Sequence, residues 1–147
     1  MTQTLTTENR FQILKSCPVF ASVAVEDLRL LAEIARTEQL EANEILFEAG
    51  EVAHDIFVVA SGTLGVFVPE HEAPASLMQP GDLFGEYAMF YDNVRTTTVR
   101  SASATCLLSI DYQRFRAYLM RFPEMTLKLL ETAIRRLVTL ERMGHKH

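Results

Sequence analysis

The chain has 147 residues, 48% of them hydrophobic and 22% charged, which suits one globular domain with a real core and excludes a disordered tail, a collagen-like fibre or a disulfide miniprotein. The net charge of −5 conceals an uneven distribution: residues 1–92 hold 15 acidic and 4 basic side chains, residues 93–147 hold 10 basic and 4 acidic ones. The arginines of the last third fall on helical patterns with acids between them, so a solvated helix face accounts for them better than a nucleic-acid surface.

The N-terminal MTQTLTTENR lacks an apolar leader core, and the longest uncharged run, Ile56 to Pro69, is too short and too rich in Ser, Thr and Gly to cross a bilayer. Cys17 and Cys106 lie far apart with no His or Cys at ligand spacing, which argues against a disulfide framework or a zinc site. A soluble, cytoplasmic protein in a reducing compartment is expected, with no membrane attachment and no metal.

Apolar residues recur at helical spacing from Asn9 to Lys15 and from Val25 to Arg36, the second helix burying Leu28, Leu31, Ile34 and Ala35. From Glu38 to Ser109 the period changes to two, in Ile45/Phe47, Ile56/Val58 and Leu64/Val66/Val68. Turn signals stand at Ala49-Gly50, Ser61-Gly62 and Pro80-Gly81. Short strands so spaced predict a sandwich, jelly roll or barrel rather than a parallel sheet. After Asp111 the helical period returns: Phe115, Tyr118 and Leu119 mark one helix, Pro123 interrupts, and Met125 to Met143 forms a longer one. Its stripe of Leu127, Leu130, Ile134, Leu137 and Leu140 is expected to pack on the roll, although the 3-4-3 spacing also fits a dimer seam. The predicted class is α+β, mainly β, in one domain spanning residues 1–147. N-terminal helices occupy 1–37, an antiparallel β-roll 38–110, and C-terminal helices 111–147.

The chemistry is concentrated in PGDLFGEYAMFYDNVRTTTVRS, Pro80 to Ser101. A turn leads into Leu83-Phe84, Gly85-Glu86 opens a brief apolar helix over Tyr87 to Phe90, and a polar loop delivers Arg95. An acid and an arginine in apolar surroundings are unfavourable to bury unless a partner is supplied. Backbone N–H groups near Ala88 and the fork of Arg95 suit phosphate oxygens, and the acceptor-only Glu86 suits a ribose 2′-hydroxyl. A phosphate beside a ribose hydroxyl describes a nucleotide.

GEYAMFYDNVRTTTV resembles the phosphate-binding cassette of cyclic nucleotide-binding domains, whose pattern is G-E-small/apolar-A-apolar, a loop, then R-[S/T/A]-A-x-V. FEAGEVAHDIFVVASGTLGVF, Phe47 to Phe67, is similar to the strands that precede it, and the likeness runs on through Pro123 to the last helix. The resemblance implies a cassette over residues 84–97 and, as ligand, cAMP or cGMP with no further cofactor. Glu86 would take the ribose 2′-OH, Arg95 the cyclic phosphate, Gly85 would permit close backbone approach, and the Ala88 amide would complete the cradle. Thr96, after the arginine, would contact phosphate or base. From the last helix, Arg136 and Leu140 would cover the purine, with Val66, Val68 and Met78 on its other side. Departures from the pattern are Tyr87 for Leu or Ile, Asn43 for Gly, and Thr97 for Ala, the last adding bulk beside the phosphate.

The resemblance further implies that the last helix closes as a lid and signals to a downstream protein partner, from a monomer or weak dimer. Other classes weighed are an enzyme, the sensor half of a transcription regulator or channel without its output domain, and a nucleotide-blind interaction module. The scattered His54, His71, His145 and His147 form no nucleophile–base or metal pattern, so no enzyme is expected. No helix-turn-helix follows the last helix, so direct DNA binding is not expected either.

Overall fold

The computed structural model describes residues 5–144; His145 and His147 lie outside the described residues. Helix α1, Thr7–Ser16, opens on a reciprocal cap: the Asn9 N–H donates to the Thr6 hydroxyl at 3.0 Å and the Thr6 N–H to the Asn9 side chain at 3.1 Å. Helix α2, Val25–Ile34, carries Glu26 and Asp27 in its first turn, where acids favour the helix dipole, and buries Leu28, Leu31 and Ala32. It is shorter than the sequence predicts. Ala35 is already extended and Arg36 pairs with Ser109 in a sheet, so ladder hydrogen bonds override the helical period. Ile34, expected inside, is 39% exposed, and Ala32 takes the buried place.

Eight strands follow: β1 Arg36–Leu40, β2 Ile45–Phe47, β3 Asp55–Ser61, β4 Leu64–Phe67, β5 Ser76–Met78, β6 Leu83–Phe84, β7 Thr98–Ser101 and β8 Thr105–Asp111. They form two antiparallel four-stranded sheets, ordered β1-β8-β3-β6 and β2-β7-β4-β5, so the architecture is the expected mainly-β roll with flanking helices.

Alternation along β3 explains the core. Ile56 and Val58 face the layer of helices, whereas Phe57 and Val59 face the second sheet. β8 splits in the same way, with Leu108 and Ile110 toward the helices and Leu107 between the sheets. These central strands are covered on both sides, so they read as continuous apolar runs.

Helix α3, Tyr112–Arg121, is capped by Asp111, whose carboxylate accepts from the Arg114 N–H at 2.9 Å. Helix α4, Pro123–Gly144, starts on the proline itself, since the first helical position needs no N–H. The expected packing of its stripe holds for Leu140 and is overturned for the other four residues. Leu127 and Ile134 are 61% and 50% exposed, and Leu130 and Leu137 are exposed beside them. At 3.6 residues per turn, Met125, Leu129, Arg136 and Leu140 share the opposite face, and that face meets the rest of the chain.

Candidate functional site

The site grows from the end of β6. Gly85 follows with φ +92°, and a Cβ there would stand 3.1 Å from Nη1 of Arg95 and 3.4 Å from the Asp55 carbonyl, so only glycine suits both the conformation and the space. Glu86 and Tyr87 come next, then a single 3-10 turn, Ala88–Phe90, where the sequence predicts a brief helix. A turn this short has no helix dipole of consequence for an anion, so positive charge at the site comes from side chains. Asp92 and Asn93 take left-handed conformations at φ 51° and 58°, which their short polar side chains tolerate, and return the chain to Arg95. The Arg95 backbone is pinned on both sides: its N–H donates to the Glu51 carbonyl, and the Gly50 N–H donates to its carbonyl, each at 2.8 Å.

Arg95 is 6% exposed. Its Nη1 donates to the Gly85 carbonyl at 3.0 Å and the Tyr112 hydroxyl at 3.1 Å, and Nη2 donates to the Asp55 carbonyl at 2.9 Å. The guanidinium lies 3.9 Å from the centroid of the Phe47 ring, which packs with Phe57 and Phe84 to form an aromatic floor. Burial pulls the guanidinium down from its ordinary value, against Tyr112 and Asp55, which favour the charged form. Three of the five N–H donors of a guanidinium are thus held by the protein, and two have no acceptor among the described residues.

Glu86 is 1% exposed. One carboxylate oxygen accepts from Nη1 of Arg136 at 3.3 Å, while Oε2 is buried without a hydrogen-bond partner. Burial raises this carboxyl above its ordinary value, opposed chiefly by Arg136. Next to it, the Tyr87 hydroxyl donates to the Ala133 carbonyl at 3.2 Å, so two successive cassette residues reach α4. Burial also keeps the Tyr87 hydroxyl in its neutral, donating form by raising its pKa.

These groups line a narrow cavity of ≈ 40 Å³ between the second sheet and α4. Residues 37–122 match the family model of the cyclic nucleotide-binding domain. The chain belongs to the cyclic nucleotide-binding domain family. It is 27% identical, over 86% of its length, to a cyclic nucleotide-gated potassium channel of Rhizobium etli, and 25% identical, over 84%, to the cyclic AMP receptor protein of Thermus thermophilus. It spans 35% and 59% of the lengths of those two relatives. Among solved structures, cAMP-bound PfPKA-R superposes with a TM-score of 0.84 at 17% identity, covering 94% of this chain and 47% of that one, a likeness of fold.

Within the cyclic nucleotide-binding domain, the structure brings most of the sequence-nominated residues to one cavity. Gly85, Glu86, Tyr87, Ala88, Arg95, Thr96 and Thr97 line it from the cassette, Val66 and Met78 from the strands, Arg136 and Leu140 from α4. Val68 does not: β4 ends at Phe67, the alternation stops there, and Val68 lines an adjoining apolar groove with Phe90 and Tyr91. Within the cavity lining, Arg136 pairs with Glu86. The sequence reading missed Phe84, Val99, Ser76 and, as site residues, Phe47 and Tyr112. Phe47 stands at the start of the motif Phe47 to Phe67 and was legible there, whereas nothing in the spacing of Tyr112 sets it apart from a core aromatic. His54 and His71 line no part of the cavity. No helix among the described residues is long and apolar enough to cross a membrane.

Proposed function

We propose that this domain is a receptor for a cyclic nucleotide, cAMP or cGMP, and that the position of α4 reports its occupancy to a downstream protein partner. One observation carries the reading. Glu86, with a buried carboxylate oxygen without a partner, and Arg95, with two N–H donors unengaged among the described residues, line one cavity, so the site suits a molecule offering a hydroxyl and an anion close together. A nucleotide phosphate fits Arg95 and a ribose 2′-OH fits Glu86. Val66, Met78 and Leu140 supply apolar contact for a purine, with Thr96 and Thr97 at the phosphate end. The charged groups that line the cavity, Glu86, Arg95 and Arg136, suit ligand binding.

The helix arrangement gives the mechanism. Small-ligand pockets run to roughly 300–1,000 Å³; the cavity at Glu86 and Arg95 holds ≈ 40 Å³ and adjoins an apolar groove of ≈ 620 Å³ along α4 that shares Tyr87, Thr96, Thr97 and Leu140 with it. In this reading a nucleotide reaching Glu86 and Arg95 opens the Arg136–Glu86 pair and the Tyr87–Ala133 hydrogen bond, which shifts α4, and the helix then closes on the ligand. The nucleotide acts by its different affinity for the two helix positions. A sensor half serving a longer protein is the same module with an output attached, in keeping with the greater length of the relatives.

Calorimetric titration with cAMP, cGMP and 5′-AMP tests the proposal. Micromolar or tighter binding of a cyclic nucleotide and not of 5′-AMP is expected; no binding of either cyclic form overturns it. Arg136→Ala is expected to release α4, seen as faster hydrogen exchange of the 126–140 amides without ligand, because the variant removes the one ion pair that Glu86 makes among the described residues. Unchanged exchange would mean that the apolar contacts of Met125 and Leu129 and the Tyr87–Ala133 hydrogen bond hold the helix without Arg136.

A further inference from the structure

Arg95 is held by two carbonyls and one side chain, and the side chain comes from outside the cassette. That side chain is Tyr112, the first residue of α3, buried at the junction of β8 and the helix. Its hydroxyl accepts from Arg95 Nη1 at 3.1 Å and donates to the Gly85 carbonyl at 2.5 Å, the same carbonyl that receives Nη1 at 3.0 Å. One hydroxyl thus bridges both ends of the cassette. The Tyr112 N–H in turn donates to the His54 carbonyl at 2.9 Å, one residue before the carbonyl of Asp55 that holds Nη2. The start of α3, the start of β3 and the guanidinium are therefore fixed to one another by a closed set of hydrogen bonds. For core packing alone a phenylalanine ring would serve in this place; the hydroxyl is needed only by Arg95 and Gly85.

We infer that Tyr112 is a positioning residue for the phosphate-binding arginine, which its hydroxyl holds with two N–H donors turned to the ligand, and that it ties the cassette to α3. This rests on the nucleotide reading of the site. Because two donors of Arg95 remain open while Tyr112 is bound, phosphate does not compete with the hydroxyl. The contact persists in the complex, and its loss weakens binding instead of strengthening it. Burial pushes the Tyr112 hydroxyl up to about 12, so it stays protonated and able to donate to Gly85 across the physiological range.

The test is a double-mutant cycle on the whole chain, read by calorimetric titration with the cyclic nucleotide the wild type binds more tightly. Tyr112→Phe is expected to weaken binding by about ten-fold, as for losing one hydrogen bond to a charged group. In an Arg95→Lys background, whose ammonium has no fork to orient, the same change is expected to cost less than about two-fold. A purely structural role would give equal losses in both backgrounds, and that result, or wild-type affinity in Tyr112→Phe, overturns the inference. A wild-type chain that binds no cyclic nucleotide would overturn the parent reading instead. Tyr112→Phe keeps the ring, and a thermal melt beside the titration confirms that the population measured is folded.

Discussion

Arg95→Leu is expected to weaken cyclic nucleotide binding by roughly 2–5 kcal/mol, about thirty-fold to several thousand-fold, as when one member of a buried charged contact is removed. The effect is large because nothing else beside the cavity can replace the charge. Arg136 is engaged with Glu86, and the turn at Ala88 is too short to act as a helix terminus. Stability should respond far less. The variant loses three hydrogen bonds from Nη1 and Nη2, yet it also removes a cation whose burial disfavours its charged form, and these terms oppose. Titration together with a thermal melt checks both halves. Wild-type affinity would refute the phosphate role, and a collapsed melt would make Arg95 chiefly a pillar of the fold.

Glu86→Gln is expected to raise thermal stability while weakening binding by about ten-fold, because a charge-assisted acceptor becomes a neutral one. The stability effect has a defined pH dependence. The folded-state pKa of Glu86 lies above its ordinary value of 4.5, so between the two the folded chain binds more protons than the unfolded chain. Stability from this residue is therefore fully present below the ordinary value and is lost as pH rises through the shifted one. The advantage of Glu86→Gln should appear in that window and vanish in acid. Binding has the opposite sign: a ribose hydroxyl donating to the carboxylate favours ionisation, so wild-type affinity should increase as pH rises through the shifted pKa, and that of Glu86→Gln should stay flat. The 2′-deoxy nucleotide should be nearly insensitive to the substitution. Equal losses for the ribose and 2′-deoxy forms would remove Glu86 from the ribose.

What was legible in the sequence follows the range of each interaction. Glu86 and Arg95 stand close in the chain, in a motif whose glycine and loop fix their spacing, so sequence alone nominated both. The roll was legible from alternation and turns, and Pro123 marked the break before α4, although the helix starts on the proline itself and not at Met125. The buried face of α4 was misassigned because its leucines form the stronger periodic signal while the contact face contains Met125, Thr132 and Arg136, two of them polar. Only the docking of that helix shows which side is covered. Val68 failed for a related reason, since pattern gives the phase of a strand but not its last residue. Tyr112 is 17 residues from Arg95 and joins it through one hydroxyl, a link that no local pattern encodes.

β6 has two residues and sits at the rim of its sheet, joined to β3 by the pairs Phe57–Phe84 and Val58–Leu83. β3 and β8, by contrast, lie inside the same sheet and are covered on both faces. From Phe84 to Arg95 the chain is thus paired to the sheet at its rim alone, and its buried residues Glu86, Ala88, Met89 and Arg95 anchor it to the rest of the domain. A displacement of this rim segment or of α4 would leave the β3–β8 ladder intact, so any such motion stays separate from global unfolding.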